Sequence, residues 1–298
     1  MKHNYKITAI LIIMFFLAQL IGIFVSNAYL PIVDGEEVIY NLPYGFDPPE
    51  DLTPQTSVSS ILLALMIAIM LMFVLMKLRA EIFLRIWFLV VVILGIALAL
   101  NAFMIKLPYS SIIAIGIAIP LGLMKIFNRD IIMHNLTELL VYPGIAAVFI
   151  PLLNIKSVVI LLIIISIYDM YAVWHSGFMQ KMAKYQLEKI KVFSGFLIPY
   201  RGKKEKGIVK STKESKRDPK KKIKVNVAIL GGGDVVFPIL LAGVVLAAWG
   251  ILASLIIAIG STISLGLLLY NSEKGKFYPA MPFISTGCLI ALFIASLV

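Results

Sequence analysis

Apolar stretches of about 17–25 residues, the length a helix needs to cross a bilayer's hydrocarbon core, recur along this chain from end to end. A membrane barrel would instead show short alternating segments. The pattern predicts nine helical spans, over Ile7–Val25, Val58–Met76, Ile82–Leu100, Ser110–Phe127, Leu139–Leu153, Ser157–Ser176, Val225–Gly243, Val244–Leu269 and Ala280–Val298. The first has a longer apolar core than the 7–15 residues of a cleaved signal, so it reads as a retained span. The fold class is therefore an all-α polytopic membrane protein. Composition agrees: the 298 residues are 60% hydrophobic and 14% charged, with a mean hydropathy of +0.97.

The polar remainder divides the chain. Residues 1–176 carry six spans and residues 225–298 carry three, with a basic connection over 177–224 between them. Sixteen of the 27 Lys and Arg fall between Lys181 and Lys224, alongside four acidic residues. Much of the formal charge of +11 is thus one local run, suited to anionic lipid headgroups. It lacks the aromatic interleaving or motif that would point to nucleic acid. From Phe178 to Phe193 apolar and basic residues alternate irregularly, as in an extended or interfacial helix. From Arg201 to Lys222 there is too little apolar surface to expect order.

Charge also orients the spans. With the amino terminus inside, Lys77, Arg79, Arg85, Lys125, Arg129, Lys274, Lys276 and the basic run share the cytoplasmic side of the cell membrane. Only Lys106 and Lys156 are left outside, together with Ser26–Ser57, which holds six acidic residues and no Lys or Arg. This is the positive-inside distribution, and nine spans put the carboxyl terminus outside. Cys288 stands alone, so no intrachain disulfide or all-cysteine metal site is available. It reads as a small buried side chain. His3, His134 and His175 are too scattered to form a metal cluster, with His175 expected at an interface. No metal or cofactor is expected.

Two acids interrupt the long apolar runs: Asp169 in IIISIYDMYAVW and Asp234 in VAILGGGDVVFPILL. Ionisable residues inside a membrane are costly and usually functional. Counted as helix, Asp169 lies about 10 Å from Ser176 and Asp234 about 13 Å from Val225. Their spans run in opposite directions, so both acids reach a similar depth, displaced from the midplane toward the cytoplasm. Gly231, Gly232 and Gly233 weaken helix preference just before Asp234, and Pro238 marks a further irregularity. Unwound backbone there would need protein or water to satisfy it, which favours a wet cavity. Two carboxylates at close range share one proton. The protonated member can donate to a carbonyl oxygen while the ionised one activates water. Two other readings remain open at this level. The acids could be structural, satisfied by Ser166, Tyr168 or Tyr171, or they could form a proton- or cation-coupled transport site.

Taken together, these segments resemble the presenilin and signal peptide peptidase family of intramembrane aspartyl proteases. Tyr168-Asp169 looks like the family's Tyr-Asp motif, and Gly231-Gly232-Gly233-Asp234 looks like its Gly-X-Gly-Asp motif, with Gly232 in the variable place. Pro279-Ala280-Met281-Pro282 resembles the Pro-Ala-Leu signature, with Met281 replacing leucine. The resemblance implies a nine-span presenilin-like fold and proteolysis within the bilayer, with Asp169 and Asp234 catalytic. It also implies that Tyr168, the three glycines and Pro279–Pro282 help position substrate. Expected substrates are single-span membrane proteins or peptides with an external amino terminus, cut without accessory subunits. The basic connection is expected to be open to self-processing.

Overall fold

A computed structural model of the chain describes residues 5–34, 37–39, 42–48, 54–78, 80–128, 130–176, 193–200, 226–272 and 278–298. Among them are nine α-helices: α1 (Tyr5–Ala28), α2 (Pro54–Lys77), α3 (Glu81–Met104), α4 (Ser110–Phe127), α5 (Ile131–Phe149), α6 (Ile155–Tyr171), α7 (Gly232–Trp249), α8 (Ile251–Asn271) and α9 (Met281–Ala295). Seven of these, α1 and α3 to α8, are long and apolar enough to cross a membrane, while Ser59–Leu75 within α2 and Met281–Ala295 are shorter apolar helices. The described chain also holds short helical turns at Pro43–Gly45, Ile150–Leu152 and Ala172–Ser176 and two antiparallel strand pairs, β1 (Ile32–Asp34) with β2 (Glu37–Ile39) and β3 (Gly195–Tyr200) with β4 (Asn226–Gly231).

Of the basic connection, residues 193–200 are described: Phe193 and Ser194, followed by β3. The rest, including most of Phe178–Phe193 and all of Arg201–Lys222, lies outside the described residues, as do His3 and the His175 side chain.

Helix α7 lies at the centre. Ile239, Leu240, Leu241, Ala242, Val244, Val245 and Leu246 are all buried, so it is enclosed on every side, as a helix apolar all round should be. It packs against α1, α5, α6, α8 and α9. Outward-facing side chains such as Ile82, Ile112, Ile132 and Phe293 are apolar and exposed, which suits a lipid-facing surface.

Small residues let the helices approach. A Cβ on Gly287 would meet the Gly260 carbonyl at 2.7 Å, which draws α8 and α9 together. One on Gly144 would run into the Gly95 backbone, so α3 and α5 cross there without side chains between them. Such contacts replace the hydrophobic drive that lipid does not supply.

Two expected boundaries are corrected. The seventh span was read from Val225, yet residues 226–231 are strand and the helix starts at Gly232. Burial explains it: Ala228 and Leu230 are enclosed while Ile229 is exposed, a period of two rather than 3.6. The break expected at Gly243 falls at Gly250, whose φ of +88° stops α7, whereas Gly243 is buried against Ser26 and Ile150.

Gly144→Ala is expected to lower stability by about 1–3 kcal/mol, the usual cost of overpacking. Gly116 has nothing within 4 Å of a built Cβ, so Gly116→Ala should be neutral or stabilise by up to about 1 kcal/mol. Thermal unfolding of the two variants in one detergent checks the contrast.

Candidate active site

Pairs of contacts set the register of α7 against α1. Gln19 Nε2 donates to the Val235 carbonyl at 3.2 Å. Gly22 then faces Ile239, and Ser26 faces Gly243. The two helices therefore run parallel, and α7 begins beside the second half of α1. From Tyr5 to Gln19 is about 21 Å of helix rise. Strand β4 leads into α7, with Ala228 and Leu230 enclosed before the helix starts. Asp234 is thus in the first turn of a helix that begins inside the bundle.

Asp169 arrives from the other direction. Ile155 and Ala248 line one cavity, so they mark a common end of α6 and α7. From Ile155 to Asp169 and from Ala248 back to Asp234 the rise is the same, about 21 Å. Helices α6 and α7 pack against each other, and the Asp169 carboxylate lies near enough to act electrostatically on Asp234. The expected match in depth holds, although one of the two segments used to obtain it is strand.

Each carboxylate has backbone donors. The Met281 amide donates to Asp169 Oδ2 at 3.1 Å, and the Ala280 amide is directed at the same carboxylate. These belong to the start of α9, where N–H groups lack intrahelical partners. Asp169 is 4% exposed. Asp234 is half-buried and takes the Gly231 amide. A Cβ on Gly231 would stand 3.2 Å from Asp234 Oδ2.

The other sequence-derived positions separate into two groups. Ala280 and Met281 are brought to Asp169, and Pro279 is buried just before them. Pro282 is half-buried in the first turn of α9, and Tyr168 is exposed beside Asp169. Gly232 is buried against Ser194 and Tyr142, whereas Gly233 is exposed. Ser166 does not serve the acids. Its hydroxyl bonds to the Leu162 carbonyl at 2.7 Å and meets Ser285 Oγ at 2.8 Å, tying α6 to α9.

Sequence reasoning missed a second polar cluster. Glu138 lies just before the expected span Leu139–Leu153, yet α5 runs through it and it is fully buried, 2.8 Å from the Nζ of buried Lys125. The available signal was spacing: His134, Glu138 and Tyr142 recur every fourth residue, one helix face. Gln19 was missed as well, being a single polar residue in an otherwise apolar run.

The fold and the paired acids have counterparts among known proteins. Residues 41–298 match the family described as signal-peptide peptidase, presenilin aspartyl protease. No curated protein matches the chain. A solved structure of a presenilin family intramembrane aspartate protease, in a C222 crystal form, aligns with a TM-score of 0.65 at 14% identity, covering 97% of this chain and 98% of that one. A second such structure, in a P2 form, aligns with a TM-score of 0.60 at 14% identity over 96% of each chain. The chain belongs to the signal peptide peptidase and presenilin family, and it is a multi-pass intramembrane aspartic endopeptidase acting on transmembrane proteins.

A side chain at Gly232 would meet Tyr142 Cε1 and Ser194 Oγ, both at 2.8 Å, whereas one at Gly233 would find only Phe237 at 3.8 Å. Gly232→Leu should therefore destabilise by about 1–3 kcal/mol, and Gly233→Ala by less than about 1 kcal/mol. Thermal unfolding of both variants tests this order.

Proposed function

We propose that this protease cuts single-span substrates inside the bilayer and that Asp169 and Asp234 are its catalytic pair. The observation that carries the reading is their common depth on two packed helices of opposite direction. In this scheme one carboxyl holds a proton and the other is ionised, as two close carboxylates require. The ionised member takes a proton from water while the water oxygen bonds to the peptide carbonyl carbon. The protonated member gives its proton to the carbonyl oxygen. As the resulting diol collapses, the C–N bond breaks, the leaving nitrogen takes a proton from the protonated carboxyl, and the ionised carboxylate takes one from a diol hydroxyl, which restores the singly protonated pair.

Tyr168, Gly231, Gly232, Gly233 and Pro279–Pro282 border this chemistry and act on substrate position. Gly233 leaves space beside Asp234. The amides of Ala280 and Met281 fix the Asp169 carboxylate, so the Pro279–Pro282 segment orients the acid as well as the peptide. Charge distribution supports a cytoplasmic amino terminus and an external carboxyl terminus, with the basic connection against anionic lipid. The chain works without accessory subunits, and its three parts are the six-span unit, the connection and the three-span unit set out above.

Asp169→Asn and Asp234→Asn are each expected to lower cleavage of a labelled single-span peptide by at least about a hundredfold, with folding retained. Mass spectrometry of the products reads the outcome. Undiminished cleavage by both variants would refute the assigned pair.

A further inference from the structure

Lys125 and Glu138 are 8% and 0% exposed, and their Nζ and Oε1 atoms are 2.8 Å apart. A buried ion pair is weak evidence for stability, because desolvation offsets much of the attraction. What this pair touches offers a better explanation. The amide of Gly195, the first residue of β3, donates to the same Glu138 Oε1 at 3.2 Å. His134 Nε2, 3.6 Å from that oxygen, donates to the Gly195 carbonyl at 2.9 Å. Two residues on, Asn135 Nδ2 donates to the Leu197 carbonyl at 2.8 Å and Asn135 Oδ1 accepts the Leu197 amide at 3.0 Å.

Asn135 thus does for β3 what a neighbouring strand would do. Backbone groups of an antiparallel strand alternate between its two edges. Those of Gly195 and Leu197 face α5, which leaves those of Ser194, Phe196 and Ile198 for β4. In keeping with this, the Gly232 amide donates to the Ser194 carbonyl at 3.3 Å. Gly195 lies opposite Gly231 in the register. Tyr142, one turn beyond Glu138, packs edge-on against Phe196 with ring centroids 5.5 Å apart and bears on Gly232. One face of α5 therefore holds the outer edge of β3, β3 holds β4, and β4 delivers Gly231 and Asp234.

We propose that Glu138, held by Lys125, and Asn135 are positioning residues for Asp234. They fix the strand pair that carries the glycine turn while touching neither substrate nor the reacting carboxyls. The inference rests on the peptidase reading above. An apolar α5 face could pack there equally well, but it would leave the amide of buried Gly195 and both backbone groups of half-buried Leu197 without these partners.

The test uses the full chain in detergent, with a labelled single-span peptide as probe and backbone hydrogen exchange as a second readout. Glu138→Ala and Asn135→Ala should each lower kcat by about tenfold to a hundredfold, as misplacement of a reacting group does, with KM changed less than about twofold. Exchange should quicken at residues 226–233 and stay at the wild-type rate in α8. Glu138→Gln keeps an oxygen for Gly195 but leaves the Lys125 charge unpaired. The pair Lys125→Met with Glu138→Gln removes both charges and keeps that oxygen, so it should exceed Glu138→Ala in kcat by at least about fivefold.

Three results would overturn the proposal: kcat within about twofold of wild type in both alanine variants, exchange quickened equally in α8, or a double variant no better than Glu138→Ala. If the wild type cleaves no peptide, the peptidase reading fails by itself. Exchange still decides in that case, since unchanged protection of residues 226–233 in Glu138→Ala would show that α5 does not hold the strands.

Discussion

A backbone amide or carbonyl enclosed in hydrocarbon must find its partner inside the protein, and the site is built around that requirement. A helix meets it alone, but Asp234 is delivered by a strand. Strand β4 ends at Gly231, and four residues on Val235 already meets Gln19 in the middle of α1, so the strand's last polar groups are enclosed by the bundle. β3 satisfies one edge, and the outer edge of β3 then needs partners of its own. The amide of Asn135, the carboxylate of Glu138 and the imidazole of His134 supply them. Lys125 answers the charge that Glu138 introduces. Polar residues that look misplaced in a bundle follow, step by step, from carrying the chain inward without a helix.

What the strand achieves is a helix terminus in the interior. Asp234 stands in the first turn of α7, where the helix dipole and free amides favour negative charge. Asp169 is held by the amides at the start of α9. Both acids therefore meet helix N-termini, one at the start of its own helix and one at the start of a neighbour. The frame around them is stiff. Ser166 and Ser285 join α6 to α9, and Gly260 and Gly287 bring α8 against α9. Gly233 and Ile229 are exposed around the start of α7, ahead of its enclosed middle, Ile239–Leu246. Water and an extended peptide need such a gap, and a continuous helix through Asp234 would have closed it.

The helices and the acids were legible because each announces itself in one dimension. Long apolar runs mark spans, and a carboxylate inside such a run stands out. The strand was not legible, since Val227-Ala228-Ile229-Leu230 is a short apolar run that period alone cannot assign. Its identity depends on β3, which lies within the basic connection, with residues 201–225 between it and β4. Glu138 was hidden for a related reason. Hydropathy trims a helix where polar residues begin, and the His134-to-Glu138 stretch looks like a span end although α5 continues through it. Read as a face repeating every fourth residue, the same stretch would have revealed a buried partner surface. The role of Met281 was hidden because it acts through its backbone amide, which a side-chain motif does not display.

A shared fold at 14% identity is physically reasonable under these constraints. Lipid-facing positions ask only for apolarity, and helix crossings ask for small residues at a few points. Both are met by many sequences. The demanding positions are those where an enclosed polar group must meet another, because an unmet partner there is not rescued by water. Among the described residues one such route runs from Lys125 through Glu138 and the strand pair to Asp234, and then across to Asp169 and the start of α9, while a second joins Tyr29, Asn101 and Ser110. The first of these routes follows the places where the backbone leaves its helices, and the paired acids stand at those same departures.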